Sequence, residues 1–257
     1  MNFQGKVAVV TGGASGLGLA AAQVLISRGV RVVVFDRDTE AGEQVVRRLG
    51  AQFAQFMQLD VSDAVAAEQA IEYVISETGG IDICLNCAGI GGSGSIVDHD
   101  GEPHALGLFR KVIEVNLVGT FNISRCVAAA MMENKPDDKG ERGVIINTAS
   151  IAAFEGQSGQ CAYSASKGGV VSMTLPMARD LARSGIRVNT IAPGVIATPL
   201  MLGMPQKVRD HLASDVLFPQ RMGEPQEFGQ LVAHIIENSY INAETIRMDG
   251  GLRMQPN

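Results

Sequence analysis

At 257 residues the chain is long enough for one large α/β domain to bury about 70% of its extended surface without disulfides or metals to staple it. Its 46% hydrophobic and 19% charged content excludes a disordered segment or a solvated coiled coil, and a formal net charge of -6 lacks the basic footprint that nucleic-acid binding needs. Four cysteines, Cys84, Cys87, Cys126 and Cys161, are too few and too irregularly spaced for a disulfide scaffold, so a reducing, cytoplasmic setting is expected.

The first apolar run, 7–10, is too short and wrongly flanked for a secretory segment, and no export signal is expected. It begins a series of runs with strand composition at 7–10, 31–35, 53–59, 81–85, 144–148, 187–191 and 244–248. These are continuous rather than alternating, the pattern of parallel strands covered on both faces. Helical patterns lie between them at 18–28, 39–49, 63–78, 106–132 and 163–183. Such alternation predicts right-handed βαβ crossovers and a single-domain Rossmann fold over 1–257, a doubly wound parallel sheet of about seven strands. Regions 91–104, 133–142 and 199–224 break the rhythm, the last where a substrate lid could fit.

Several features read as structure rather than chemistry. Cys84 and Cys87 spell C-x-x-C, but residues three apart on a strand face opposite sides, so neither a redox pair nor a zinc site is expected. The segment 98–104 carries Asp98, His99, Asp100, Glu102 and His104 at a spacing that matches no closed metal site; a solvated loop is expected there and no metal. The charge-free stretch 188–206 is cut by Pro193, Gly194, Pro199, Gly203 and Pro205, so it cannot span a bilayer, and no membrane partner is expected.

Directly after the first predicted strand comes Thr11-Gly12-Gly13-Ala14-Ser15-Gly16-Leu17-Gly18, which opens a helix. Glycines there let backbone approach a pyrophosphate, and a helix N-terminus offers unpaired N–H groups with a partial positive charge. Asp36 ends the second strand 18 residues after Gly18, where a carboxylate holds a ribose 2′-OH and repels a 2′-phosphate. That favours NAD, while Arg37 beside it keeps NADP open.

Tyr163 and Lys167 stand four apart near the start of a predicted helix, on one face. A tyrosine is a poor base near neutral pH, and a neighbouring ammonium lowers its pKa by favouring the phenolate, so the pair can act as general acid/base. Ser150 follows the strand 144–148, at the sheet edge where ligands bind in open α/β folds.

The pattern T-G-G-A-S-G-L-G resembles that of the short-chain dehydrogenase/reductase family, and the resemblance covers essentially the whole chain. Asn86-Cys87-Ala88-Gly89 is similar to the family's N-N-A-G motif, with Cys87 in place of the second Asn. The resemblance implies an Asn116/Ser150/Tyr163/Lys167 catalytic set, Asn116 holding a water that relays protons to the lysine. It also implies cofactor contacts from Gly12, Ser15, Gly16, Leu17, Gly18, Asp36, the Asp60-Val61 pair, Asn86, Ala88, Gly89, Tyr163, Lys167, and from Pro193-Gly194 with Thr198 on the nicotinamide carboxamide. Stretches 143–169 and 173–199, the insert 133–142 and the ending 249–256 resemble, within that family, the short-chain 3-hydroxyacyl-CoA dehydrogenases. The implied enzyme is an NAD-dependent homotetramer interconverting a secondary alcohol and a ketone on 3-hydroxyacyl-CoA thioesters. The alternatives are an NADP-dependent 3-oxoacyl carrier-protein reductase and a steroid or small-alcohol dehydrogenase.

The residues themselves indicate only an apolar substrate site. Leu200, Met201, Leu202, Met204, Leu212, Leu217 and Phe218 crowd the expected lid, either against substrate or simply packing the lid onto the body. Lys207, Arg209 and His211 offer charge for CoA phosphates, though an exposed helix face is the simpler reading.

Overall fold

Seven segments extend as strands: β1 (Val7–Thr11), β2 (Arg31–Asp36), β3 (Ala54–Gln58), β4 (Ile83–Asn86), β5 (Gly143–Thr148), β6 (Ile186–Pro193) and β7 (Thr245–Met248). All pair in parallel in the order β3-β2-β1-β4-β5-β6-β7, so the winding reverses between β1 and β4 and opens a crevice there. The structure, a computed structural model, describes residues 1–256 apart from the Leu200 side chain.

The helices are α1 (Gly16–Ser27), α2 (Thr39–Leu49), α3 (Ala64–Thr78), α4 (Leu106–Ile113), α5 (Gly119–Met132), α6 (Cys161–Leu181), α7 (Pro199–Leu202), α8 (Gln206–Ser214) and α9 (Pro225–Glu237). Strands β1, β4, β5 and β6 are buried along their whole lengths, which explains their unbroken apolar runs. One face of the sheet packs Ile71, Ile123, Val127 and Met131, and the other packs Leu25, Val45, Phe228 and Val232. Cys84 belongs to the first face and Cys87 packs on the second, as the two-residue period requires.

Two elements depart from the sequence pattern. The helical run 106–132 is interrupted at Glu114–Val118 by a π turn, which inserts an extra residue between α4 and α5. Taken together Leu106–Met132 is long and apolar enough to cross a membrane by length and composition, yet 61% of its most apolar window is buried inside the fold. Helix α9 lies outside the helical patterns of the sequence. It starts with Pro225 at its first turn and a capping box in which the Glu227 carboxylate accepts from the Glu224 N–H.

A row of polar side chains crosses the sheet at one level. Thr11 pairs in register with Asn86, Asn86 with Asn147, and Asn147 with Thr190, all buried. Asn86 Nδ2 donates to Asn147 Oδ1 and to Ser124 Oγ, each at 2.9 Å, and Thr190 Oγ1 lies 2.6 Å from Thr174 Oγ1. Thr11 Oγ1 accepts from the Cys87 and Ala88 N–H groups, each at 3.1 Å, and so fixes the loop after β4.

At the opposite end of the sheet lies a buried ion pair. Arg187 Nε donates to Glu141 Oε1 at 2.8 Å, and its terminal nitrogens donate to the Ile235, Ile236 and Ile241 carbonyls at 2.8, 3.0 and 2.7 Å. A cation thus meets carbonyls around the C-terminal end of α9, and the guanidinium is tied to three separate segments. Arg187→Ala leaves Glu141 buried without its guanidinium, which costs about 3–5 kcal/mol, so a fall in melting temperature on the order of 10 °C is expected by calorimetry. Arg187→Met combined with Glu141→Leu is expected to recover part of that loss, because guanidinium and carboxylate leave together, while the buried Met1 ammonium, 3.3 Å from Glu141, loses its carboxylate and limits the recovery.

Candidate active site

A cavity of about 730 Å³ opens over the carboxyl ends of β1, β4, β5 and β6. Its walls combine the glycine loop, Asp36, the segment after β4, Ser150, Tyr163, Lys167 and the start of the 199–224 region.

At one end lies the N-terminus of α1. Helices α2 and α3 begin with Asp38 and Asp63, whose side chains accept from Ala41 and Ala66 N–H groups at 3.0 Å. Ser15 provides no such cap to α1, and no acidic residue stands in its first turn. The first amides of α1 are therefore left for an anion, and Gly12, Ser15, Gly16, Leu17 and Gly18 all border the cavity. A side chain at Gly18 would run into the Gly12 carbonyl, so the loop folds back this tightly only with glycine. Asp36 reaches the same end. Its Oδ2 accepts from Ala14 N–H at 3.1 Å and its Oδ1 from Asp38 N–H at 3.2 Å, so the carboxylate is held beside the loop. Arg37 leans the other way, onto Asp60 at 3.6 Å. Uncapped amides, close glycine backbone and a fixed carboxylate fit the pyrophosphate and ribose of a dinucleotide.

The other end carries proton chemistry. Lys167 is buried, and its Nζ donates to the Thr148 carbonyl at 2.8 Å while lying 5.8 Å from the Tyr163 ring centre. Burial pulls its pKa down to about 8, with the nearby Cys87 opposing slightly. Burial pushes the Tyr163 phenol up, and its hydrogen bond with Ser150 works against that rise. Ser150 Oγ also accepts from Ala152 N–H at 3.1 Å, which aims the hydroxyl at the start of the turn Ile151–Ala153. Gly89 closes over this group: a Cβ there would lie 3.2 Å from Asn116 Oδ1 and 3.5 Å from Lys167 Nζ.

Asn116 sits on the π turn. Its Oδ1 accepts from Ile90 N–H at 2.8 Å, and its Nδ2 donates to the Ile90 carbonyl at 2.9 Å and to Ser166 Oγ at 3.1 Å. The amide is fully engaged as a brace between the segment after β4 and α6.

A family model described as short chain dehydrogenase matches residues 6–208. The chain belongs to the short-chain dehydrogenase family. It is 52% identical over 256 residues to the 3-hydroxyacyl-CoA dehydrogenase type-2 of Bos taurus, covering 99% of this chain and 98% of that one. The Homo sapiens protein of the same name is 51% identical with the same coverage. A crystal structure of 3-hydroxyacyl-CoA dehydrogenase type-2 from Mycobacterium avium superposes with a TM-score of 0.93 at 39% identity, covering 100% of both chains. This dehydrogenase is therefore an oxidoreductase whose family uses a nicotinamide cofactor, which supplies the hydride acceptor or donor when bound.

Most residues singled out from the sequence border the dehydrogenase's cavity: Gly12, Ser15, Gly16, Leu17, Gly18, Asp36, Val61, Ala88, Gly89, Ser150, Tyr163, Lys167, Pro193, Gly194 and Thr198. Three others do not border it. Asn86 is buried in the polar row, Asn116 braces the segment after β4, and Asp60 Oδ1 accepts from Ser62 N–H and Oγ at 3.0 and 2.6 Å. Of the lid side chains, Met201, Met204 and Leu212 border the cavity, while Leu217 and Phe218 point outward. The Leu200 side chain is outside the described residues. Lys207 and His211 are exposed on α8, and Arg209 donates to Gln206 on the same helix. Among the residues missed are Gln157, Gln160 and Met254, which the tertiary fold brings to the cavity.

A tyrosine whose proton must leave during alcohol oxidation predicts opposite pH responses in the two directions. Oxidation is expected to speed up as pH rises toward the phenol's pKa, and ketone reduction to slow through the same range. Lys167→Met removes the cation that favours the phenolate, so the break in both profiles is expected to move to higher pH. Tyr163→Phe is expected to lower kcat by about 10² to 10⁴ with cofactor affinity retained. Steady-state pH profiles and cofactor titrations check all three.

Proposed function

We propose that this dehydrogenase oxidises the 3-hydroxyl group of 3-hydroxyacyl-CoA thioesters, with NAD as acceptor. The observation that carries the reading is the near-complete alignment, at 52% identity, with an enzyme named for that activity, joined to a cavity that runs from Asp36 to a methionine-lined end. Tyr163 takes the hydroxyl proton, Lys167 steadies the phenolate, and Ser150 hydrogen-bonds the reacting oxygen. Asn116 holds the wall in register for them. NAD is favoured over NADP because Asp36 is fixed at the ribose end while Arg37 is drawn toward Asp60. Segment 199–224, with α7 and α8, acts as the lid, and Met201, Met204 and Leu212 give it an adaptable apolar underside. Four unpaired thiols favour a reducing, cytoplasmic compartment.

Assembly as a homotetramer is part of the proposal. Leu106, Val118, Phe121 and Met132 are exposed along α4, the π turn and α5, with Leu175 exposed on α6 and Phe154 just ahead of it. Apolar side chains spread over adjoining helices are what a subunit contact between copies would cover.

Rates measured with both cofactors across 3-hydroxyacyl-CoAs, the matching pantetheine thioesters, hydroxysteroids and sugar alcohols test the activity. The CoA series with NAD is expected to give the highest kcat/KM, and a preference for free alcohols would overturn the reading. Asp36→Ala is expected to shift the NAD/NADP preference toward NADP by at least tenfold, because it removes a ribose acceptor and a charge that repels phosphate. By light scattering the protein is expected at four times the chain mass, and Phe121→Asp is expected to lower that mass.

A further inference from the structure

Between Ser150 and Tyr163 the chain makes a loop that brings Ile151, Ala152, Gln157 and Gln160 to the cavity. A distant segment, 249–256, is fastened along its outer side. The Glu155 carboxylate accepts from Arg247 at 2.8 Å and from Met254 N–H at 3.1 Å. Arg247 in turn donates to Asp249 Oδ2 at 2.7 Å and to the Leu252 carbonyl at 3.0 Å, and its guanidinium lies 5.3 Å from the Phe154 ring centre. Gln157 Nε2 donates to the Gln255 carbonyl at 3.0 Å, and Ser158 N–H to the Pro256 carbonyl at 2.9 Å.

The result is a clamp with Met254 in its middle. Leu252, two residues before it, is buried against Ile151 and Val216, and the two residues after it are bonded to the loop. Arg247 and Glu155 are each about three-quarters buried, and Asp249 is more so. Charge-assisted bonds that share one planar guanidinium under partial burial hold a fixed geometry. Arg253, mostly exposed, adds weaker rim pairs to Glu155 and Asp249, each at 3.3 Å, and donates to the Leu252 carbonyl at 2.7 Å. Met254 itself borders the cavity together with Gln157 and Gln160. A thioether held there by both flanks is a wall whose position the clamp dictates.

We infer that Met254 is a specificity-determining residue that sets which acyl chain lengths the reacting end accepts, and that Glu155 is the positioning residue that holds it, through its own bond to the Met254 N–H and through Arg247. This rests on the functional reading above for the substrate class, but the wall itself does not.

The test compares Met254→Ala, Met254→Trp and Glu155→Gln with the parent enzyme on 3-hydroxyacyl-CoAs from four to twelve carbons. It runs in parallel on secondary alkanols of four to ten carbons. The readout is the ratio of kcat/KM for the longest substrate to that for the shortest. Met254→Ala is expected to raise this ratio at least fivefold and Met254→Trp to lower it at least tenfold, both chiefly through KM. Glu155→Gln, which keeps the shape but loses the charge, is expected to move the ratio in the same direction as alanine and by less. Arg247→Lys is expected to fall between Glu155→Gln and the parent. NADH affinity, followed by fluorescence, verifies that each variant is folded, and the small alanine change decides the matter if tryptophan is not tolerated. A ratio that stays constant in Met254→Ala, whatever happens to absolute rates, overturns the assignment and leaves the clamp a packing device. A parent enzyme inactive on every acyl-CoA overturns the substrate class instead, and the alkanol series then decides the wall.

Discussion

Lys167 carries an ammonium into the interior, where its direct protein acceptor is the Thr148 carbonyl at 2.8 Å. Removing such a group from water is expensive, and burial favours the neutral amine, pulling the pKa down to about 8. Everything around the reacting end accommodates that cost. Strand β5 ends at Thr148, whose carbonyl meets the amine, and a side chain at Gly89 would press on Asn116 Oδ1, 3.2 Å from where its Cβ would lie. The π turn must bring Asn116 to the Ile90 backbone to keep that wall in place. Cys87, whose thiol burial pushes up to about 12, stays neutral beside the lysine and so does not cancel its charge.

The two ends of the cavity are built on different physics. The dinucleotide end uses backbone: amides that α1 leaves uncapped, in contrast with the Asp-capped α2 and α3, and a carboxylate fixed by two N–H groups. Backbone dipoles cannot be repacked, which suits a ligand common to a whole family. The substrate end uses methionine, leucine and glutamine side chains from segments far apart in the chain, which can change without disturbing the sheet. One family therefore keeps one cofactor geometry and varies its alcohols.

Much of this was legible in the sequence because it is local. Period and composition place the strands to within a residue or two, and T-G-G-A-S-G-L-G followed by Asp36 locates the dinucleotide end. The opposite facing of Cys84 and Cys87 follows from strand geometry alone. What escaped is set by tertiary contact or by subtle local chemistry. The Glu224/Glu227 capping box with Pro225 marks α9 but is easily passed over beside an irregular region. The π turn leaves no break in the apolar pattern of 106–132, since an inserted residue costs a hydrogen bond rather than a hydrophobic position. Asn86 and Asp60 sit in motifs that suggest direct ligand contact, and neither is among the residues bordering the cavity: Asn86 Nδ2 is bonded to Ser124 and Asn147, and Asp60 Oδ1 to Ser62.

The polar row through Thr11, Asn86, Asn147 and Thr190 has a consequence for strand alignment. Parallel strands made of valine and isoleucine are nearly interchangeable along their length, so apolar packing distinguishes one pairing from its neighbours only weakly. Sliding any one strand by a single position turns its asparagine or threonine toward the aliphatic layer on the other face and parts it from its polar neighbours. Each such displaced group costs on the order of 1–3 kcal/mol, a sizeable fraction of a domain's net stability. Four short side chains thus act as a key cut across the sheet, admitting one alignment out of several and setting the strand ends, where the chemistry takes place, level with one another.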